Sequence, residues 1–179
     1  MRWRISDRCD PTARVIADRH YNRQSVGAPN FVPPGRCLVL VTDGAFWVTS
    51  WPFAEYVRHA WAGAWVCSAF RNEGDDLSSD LIRDALAATV WKWPRSPRVT
   101  ATRITRRHDR SDVDPVHIAM VTFVNTEKTK AKRDPGRCFR RAGFVDVGLT
   151  AGGLVALGLP HDALPKPSAP LGSTLSLFG

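Results

Sequence analysis

The 179-residue chain lacks any run of about 18 apolar residues, so no segment predicts a membrane-spanning helix. The first fifteen residues contain early arginines but no apolar stretch, which argues against a secretory signal. The four cysteines are widely spaced and form no Cys-x-x-Cys pair, a pattern that favours reduced thiols over a disulfide framework or a zinc site. Together these absences predict a cytoplasmic protein.

Acidic residues are scarce in one part of the chain. From Lys92 to Arg141 there are fourteen Lys and Arg against five Asp and Glu, a net charge of +9. The remainder has eleven against twelve, a net charge of −1. A basic segment in an otherwise nearly neutral chain predicts a polyanionic partner, and nucleic acid is the first candidate. The alternative is a solvated face that confers solubility.

Apolar periodicity predicts an α+β fold with a mixed central sheet flanked by helices, in a single domain of residues 1–160. A tail rich in Pro, Ser and Gly follows at 161–179. Asp10 and Pro11 predict the start of a first helix, and Asp43-Gly44 predicts a hairpin turn. The remaining predictions are strands over 59–70, 98–105, 117–125, 145–150 and 154–160, helices over 75–93 and 134–144, and a charged loop over 106–115.

That order of elements, with the late segment "CFRRAGF" at Cys138–Phe144, resembles the GNAT superfamily of N-acetyltransferases. The resemblance implies a GNAT-like domain that binds acetyl-CoA or another small-molecule donor. It would place Phe139, Ser78 and Ser79 at the cofactor, although the two serines are equally suited to capping the long helix. The expected pyrophosphate loop reads "RNEGDDLSSD", in which a single Gly and two adjacent aspartates disfavour an anion.

Four further segments occur in order and at compatible spacing: "RHYNR" at 19–23, "CSAFRNEG" at 67–74 with "LSSDLI" behind it, "MVTFVN" at 120–125, and "KRDPGRCFRRAGF" ending at Phe144. Across roughly His20 to Pro160 they resemble the phage Mu Mom family of DNA-modification proteins, a divergent GNAT-like group. The resemblance implies a phage-derived transferase that converts the adenine N6 amino group of duplex DNA to N6-carbamoylmethyladenine. This modification shields phage DNA from restriction.

The implied product constrains the chemistry. A carbamoylmethyl group joins nitrogen through its CH₂ carbon, whereas acyl transfer from a thioester would give an amide. The resemblance also implies dependence on iron(II). It makes His20 and Tyr21 catalytic candidates, with His20 and Glu73 as metal ligands, because neutral His and carboxylates bind iron. A second histidine ligand would be His59, His108 or His117. Alternatively, His20 caps the first helix and Tyr21 packs beneath the following loop.

Three polar residues end an apolar strand at Arg71, Asn72 and Glu73. Strand alternation predicts Arg71 and Glu73 on one face of the sheet and Asn72 on the other. As a site, Glu73 would act as general base or metal ligand, Asn72 would contact an adenine edge, and Arg71 would hold a phosphate or carboxylate. The alternative is a strand end that meets solvent. Asn125 is a further catalytic candidate, at a position where the family more often has Asp.

Basic side chains are expected to contact DNA phosphates without reading sequence. The candidates are Arg106, Arg107, Lys128, Lys130, Lys132 and Arg133. Chemistry on adenine N6 in a duplex requires extrusion of the base, which one or two tryptophans would support by stacking, although each is better suited to the core. Double-stranded DNA is therefore the predicted partner; the oligomeric state is left open, with a homodimer as one option.

Two other functions fit the sequence. The first is acyl-CoA-dependent N-acyltransfer to an amine of a small molecule, protein or RNA. The second is a DNA-binding accessory protein that has kept the fold and lost catalysis.

Overall fold

The computed structural model describes residues 2–107, 110–129 and 134–173; for residues 106, 107, 110 and 111 it describes the backbone only. The strands are β1 (Arg4–Ser6), β2 (Cys37–Val41), β3 (Ala45–Ser50), β4 (Trp65–Asn72), β5 (Val99–Arg107), β6 (Arg110–Val124), β7 (Val145–Leu149) and β8 (Val155–Pro160). The α-helices are α1 (Pro11–Asp18), α2 (Ser78–Lys92) and α3 (Arg137–Arg141). The predicted mixture of strands and helices is confirmed, with mostly antiparallel strand pairing and few helices.

The chain divides into two compact units. Unit 1 comprises Met1–Ser50, Ser68–Arg95 and Pro165–Gly179, and unit 2 comprises Trp51–Cys67 and Ser96–Leu164. Strand β4 therefore begins in unit 2 and ends in unit 1. Both units draw on distant parts of the sequence. The predicted domain of 1–160 and tail of 161–179 stay predictions.

Unit 1 contains the strand order β1-β2-β3-β4, in which β1, β2 and β3 pair antiparallel. Every residue of β3 is buried, because its alternating side chains face different helices. Phe46 and Val48 pack with Ile16 of α1. On the opposite face, the Thr49 hydroxyl lies 3.0 Å from that of Thr89 in α2. Unit 1 is thus a sheet covered on both faces.

The sequence signals that start α1 and the hairpin are confirmed. Asp10 Oδ1 accepts a hydrogen bond from the Ala13 amide at 2.8 Å, as an N-cap residue does, and Pro11 occupies the first turn. The turn between β2 and β3 contains Asp43 and Gly44, where the Thr42 hydroxyl accepts from the Gly44 amide. Strand β1 was not predicted, because three residues carry too little periodicity.

Unit 2 contains the order β4-β6-β8-β7, with β5 paired to β6. The β4–β6 pairing is parallel and runs from Trp65 opposite Met120 to Cys67 opposite Thr122. The other pairings are antiparallel. One hydrophobic cluster of this unit comprises Trp61, Ala64, Ala101, Ile118, Val121, Val147 and Ala156.

The predicted charged loop over 106–115 is wrong for its described residues, which belong to strands. Residues 106 and 107 end β5, and 110–115 begin β6, with Arg103 opposite Asp114 in the ladder. Backbone pairing tolerates charged side chains that face solvent. Pro115 fits because the β6–β8 register begins only at Ile118, so among the described residues its missing N–H interrupts no bond to β8.

The third predicted strand also differs from the structure. It was expected over 59–70, whereas β4 starts at Trp65 and continues through Asn72. Residues 59–64 form a turn, in which the Trp61 amide donates to His59 Nδ1 at 3.2 Å. Within the described ranges, no helix combines the length and apolar character needed to cross a membrane.

A close approach of two glycines positions the segment after β4. A Cβ on Gly44 would lie 2.8 Å from the Gly74 Cα and 2.9 Å from its nitrogen, which are backbone atoms. The Glu73 amide also donates to the Gly44 carbonyl at 2.8 Å. The β2–β3 turn therefore sets the position of the β4–α2 segment (Glu73–Leu77) directly.

We expect Gly44→Ala to lower the free energy of unfolding by about 1–3 kcal/mol, because the new methyl group can be accommodated only by moving backbone. Urea unfolding monitored by tryptophan fluorescence measures this. Gly152→Ala is the control, since the nearest atom to its new Cβ is a hydroxyl 3.9 Å away. Equal midpoints for the two variants would contradict the close packing of Gly44 on Gly74.

Candidate functional site

A cleft of about 460 Å³ lies in unit 1 between the end of α1, the loop over residues 22–33 and strands β3 and β4. Its walls combine flat rings with side-chain amides. The rings belong to His20, Phe31 and Phe46, and the amides to Asn22, Gln24 and Asn30.

The rings form a preorganised apolar wall. Phe31 meets Phe46 edge to face with ring centres 5.7 Å apart, and His20 meets Phe46 in the same manner at 6.4 Å. His20 also stacks on Tyr21 at 4.5 Å. Such edge-to-face contacts restrain the rings without closing the space beside them.

One hydrogen bond defines the tautomer of the neutral His20 ring. Its Nδ1 accepts a hydrogen bond from the backbone N–H of Asn22 at 3.2 Å, so the neutral ring carries its proton on Nε2. The C-cap of α1 is Arg19, not His20 as the capping alternative had it, and the His20 backbone amide donates to the Ala17 carbonyl one residue beyond that cap. The ring nevertheless lines the cleft. In this tautomer, Nε2 of His20 carries the N–H.

Arg23 holds the loop that forms the cleft. Its Nε donates to Asp18 Oδ1 at 2.7 Å, and its terminal nitrogens donate to the carbonyls of Ala28 at 2.6 Å and Asn30 at 2.9 Å. Asp18 Oδ2 accepts from the Gly27 amide. The hydrogen bonds from Arg23, and from Gly27 in turn, lower the pKa of Asp18. One ion pair thus fixes the loop to the end of α1.

A second ion cluster ties α1 to the end of β4. Glu73 accepts from Arg19 Nε at 2.9 Å and from Arg71 Nε at 2.6 Å, and Arg19 Nη2 binds its other oxygen. Arg71 Nη1 also donates to the Arg19 carbonyl at 2.6 Å. The Arg19 hydrogen bonds, supported by Arg71, lower the pKa of Glu73 from 4.5 to about 2. Glu73 is therefore ionised at neutral pH and is a weak base.

Asn72 lies on the opposite face, as strand alternation predicts. Its amide nitrogen donates to the Asp76 carbonyl at 2.7 Å and to the Ser78 hydroxyl at 3.2 Å, and its oxygen accepts from the Gly74 amide at 2.9 Å. These contacts place Asn72 as the residue that fixes the β4–α2 segment. Its predicted contact with an adenine edge stays a prediction.

The serines predicted at the cofactor lie in the first turn of α2. Ser78 accepts from Asn72, and Ser79 is buried. The N-cap residue is Leu77, and the side chain of that residue makes no capping hydrogen bond, so neither serine serves as the N-cap. Their contact with a cofactor stays a prediction.

The His20 and Glu73 pair does not fit an iron site in this arrangement. Both Glu73 oxygens are engaged by guanidinium groups, and Nδ1 of His20 is occupied by the Asn22 amide. In the described part of the chain, no group of three or more His, Cys, Asp or Glu is placed to hold a metal ion. Iron dependence stays an expectation from the resemblance alone.

Other predicted site residues belong to unit 2. Asn125 Oδ1 accepts from the Lys128 amide at 3.0 Å in the turn after β6, and the Lys128 side chain is exposed. Phe139 is buried against Phe144 with ring centres 5.3 Å apart. The predicted DNA contacts Lys130, Lys132 and Arg133 lie outside the described residues. Arg106 and Arg107 are described only as backbone of β5.

Sequence reasoning missed most of the cleft. Asn22 and Arg23 lie within the segment "RHYNR" at 19–23, and Asn30 and Phe31 lie in a turn-rich loop without periodicity. The available signal was the adjacency of two amides and an arginine to His20. It could not show which backbone carbonyls Arg23 would reach.

Comparisons with protein-family models, with curated proteins and with solved structures give no match to this chain.

The ion cluster predicts a pH dependence. Because the pKa of Glu73 is lowered in the folded state, its contribution to stability is complete above pH 4.5 and is lost as the pH falls towards 2. We expect the difference in unfolding free energy between the native protein and Glu73→Gln to be constant from pH 8 to about pH 5 and to shrink below that. Urea unfolding at a series of pH values measures it. A difference that stays constant down to pH 3 would refute the lowered pKa.

The ion pair of Arg23 predicts protection of its loop. We expect Arg23→Gln to accelerate amide hydrogen exchange over residues 24–32 by about tenfold or more, because charge-assisted hydrogen bonds are lost. Arg83→Gln, which breaks an exposed ion pair with Asp80 on α2, serves as the control. Unchanged exchange in the loop would show that Arg23 does not hold it.

Proposed function

We propose that this protein is a DNA-modifying enzyme that converts adenine N6 amino groups to N6-carbamoylmethyladenine. The observation that carries the proposal is the cleft beside His20, which joins three rings to three side-chain amides in one pocket of about 460 Å³.

The lining of the cleft suits a neutral, flat, hydrogen-bonding ligand. Among its described lining residues there is no Asp or Glu, and the charge of Arg23 is matched by Asp18. Rings beside the pocket favour stacking and edge contacts with a planar heterocycle. An amide side chain pairs with adenine through one donor and one acceptor, and Asn22 and Gln24 supply such groups. The Nε2–H of His20 would donate to a ring nitrogen of the base.

The basic segment supports DNA as the source of that base. The net charge of +9 between Lys92 and Arg141 would attract the phosphate backbone without sequence preference. A base in a duplex reaches a pocket only after extrusion, and pockets that receive an extruded base use stacking and Watson–Crick contacts. Among the predicted phosphate contacts, Lys128 has a described side chain, and it is exposed.

The strand pairing supports a GNAT-like fold for the enzyme. Strand β4 pairs parallel with β6, which itself pairs antiparallel with β5 and β8, and α2 follows β4; this arrangement agrees with the element order of that superfamily. The β4–α2 segment, however, is anchored by Asn72 and by the 3.2 Å ion pair of Asp76 with Arg2, and Asp75 is exposed. Carboxylates at this end of α2 disfavour a pyrophosphate, in keeping with a donor other than an ordinary acyl-CoA.

The reaction itself would join N6 to the CH₂ carbon of a carbamoylmethyl donor. The leaving group would depart from that carbon, and N6 would lose one proton. Within this scheme the cleft residues bind and orient the adenine. The same β4–β6 pairing is the observation that favours acyl-CoA-dependent N-acyltransfer as the second candidate function.

Nucleoside mass spectrometry of plasmid DNA co-expressed with the protein tests the proposal. We expect a deoxyadenosine whose mass shows one hydrogen replaced by CH₂CONH₂. His20→Ala and the double variant Asn22→Ala/Gln24→Ala should reduce the adduct by about tenfold or more, since each removes hydrogen bonds to the base. Arg83→Met on α2 should leave it unchanged.

Only unmodified deoxyadenosine from cells containing soluble, folded native protein would contradict the proposal. An acyl adduct in place of the carbamoylmethyl group, or acylation of another amine with acetyl-CoA, would support the second candidate.

A further inference from the structure

Arg19 and Arg71 each keep one terminal nitrogen unused. Glu73 accepts from three of their other nitrogens, and the Arg19 carbonyl accepts from Arg71 Nη1. Within the described part of the chain, Arg19 Nη1 and Arg71 Nη2 have no acceptor. Two guanidinium groups on one carboxylate leave this cluster with a net charge of +1. Its arginine side chains are 49% and 35% exposed, so the unused donors are open to a ligand.

Two separate chain segments connect the cluster to the cleft. Arg19 directly precedes His20, whose ring lines the cleft, and Arg71 lies two residues beyond Ala69, which also lines it. Two residues of a strand span about 7 Å, and such residues face the same side of the sheet. Ala69 packs against the hydrophobic cluster that contains Ile16, so Arg71 lies on the side of the sheet that α1 covers.

We propose that Arg19 and Arg71, held in position by Glu73, bind the phosphate of the nucleotide whose base occupies the cleft. Guanidinium groups match phosphate oxygens in pairs, and charge-assisted hydrogen bonds of this kind are strong. Because Glu73 and the Arg19 carbonyl already restrain both side chains, binding costs little further side-chain ordering. A single ion pair would satisfy Glu73; the second arginine supplies the excess positive charge that an anion requires. The inference rests on the proposed function for the presence of a nucleotide.

Isothermal titration calorimetry with phosphorylated and unphosphorylated ligands tests the site. The probes are deoxyadenosine, its 5′- and 3′-monophosphates, thymidine 5′-monophosphate, inorganic phosphate and a short single-stranded oligonucleotide containing adenine. We expect at least one deoxyadenosine monophosphate to bind about tenfold or more tightly than deoxyadenosine.

Variants then locate the phosphate. In Arg71→Met, the affinities for the nucleoside and the nucleotide should be nearly equal. Arg71→Lys keeps the charge but loses the paired donors, so its ratio of nucleotide to nucleoside affinity should lie between those of the native protein and Arg71→Met. Arg83→Met removes one positive charge elsewhere in unit 1 and should keep the native ratio. Circular dichroism and thermal midpoints verify folding. If Arg71→Met does not fold, the reduced ratio in Arg71→Lys decides the question.

Equal affinities for nucleoside and nucleotide in the native protein would overturn the site, as would a native ratio in Arg71→Lys and Arg71→Met, or no binding of any probe. An oligonucleotide whose affinity depends on Arg71 would identify the DNA backbone as the source of the phosphate. Dependence confined to mononucleotides would identify a free nucleotide instead.

The two proposals fail in different ways. If thymidine monophosphate binds as tightly as the adenine nucleotide and depends on Arg71 to the same extent, the adenine preference of the cleft is contradicted and the phosphate site is supported. Modified DNA, together with equal affinities for nucleoside and nucleotide, would support the proposed function and contradict the phosphate site.

Discussion

The burial of β3 on both faces is the constraint on which unit 1 depends. All six residues of this strand are inaccessible, and a strand in that position needs a helix against each side of the sheet. Phe46 and Val48 require α1, and Thr49 with its hydroxyl contact to Thr89 requires α2. The end of α1 is therefore brought beside Phe46, and this placement creates one wall of the cleft. Packing in the core and the geometry of the site have the same origin.

Ion pairs convert that placement into a defined pocket. The loop after α1 has no regular secondary structure, so its backbone carbonyls need donors from elsewhere. Arg23 supplies donors to Ala28 and Asn30, while Arg71 supplies one to Arg19. Each arginine is also restrained by a carboxylate. Side chains held in this manner lose little freedom when a ligand binds, which is the property that a binding site on a loop most often lacks.

Strong local signals explain which parts of the fold were predicted. Asp10 with Pro11 specified α1 through capping geometry, and the apolar spacing over 75–93 specified α2. The strand over 110–115 was missed because its alternation is masked by charge and by Pro115, and its pairing with β5 depends on partners along the ladder. In the site, alternation placed Arg71, Asn72 and Glu73 on the correct faces. The contact of Glu73 with Arg19 could not be predicted, since Arg19 lies 54 positions away and reaches it only through the packing of α1 on the sheet.

The segment after residue 164 has a consequence for the edge of the sheet in unit 1. Strand β1 has three residues and would otherwise expose unpaired backbone groups. The Leu171 amide donates to the Trp3 carbonyl at 2.8 Å, and Leu171 forms a parallel bridge with Arg4. The Ser168 amide donates to the Ala87 carbonyl of α2, so the same segment is also bound to that helix. At this point the segment occupies backbone groups with which another chain could pair, and so works against edge-to-edge association.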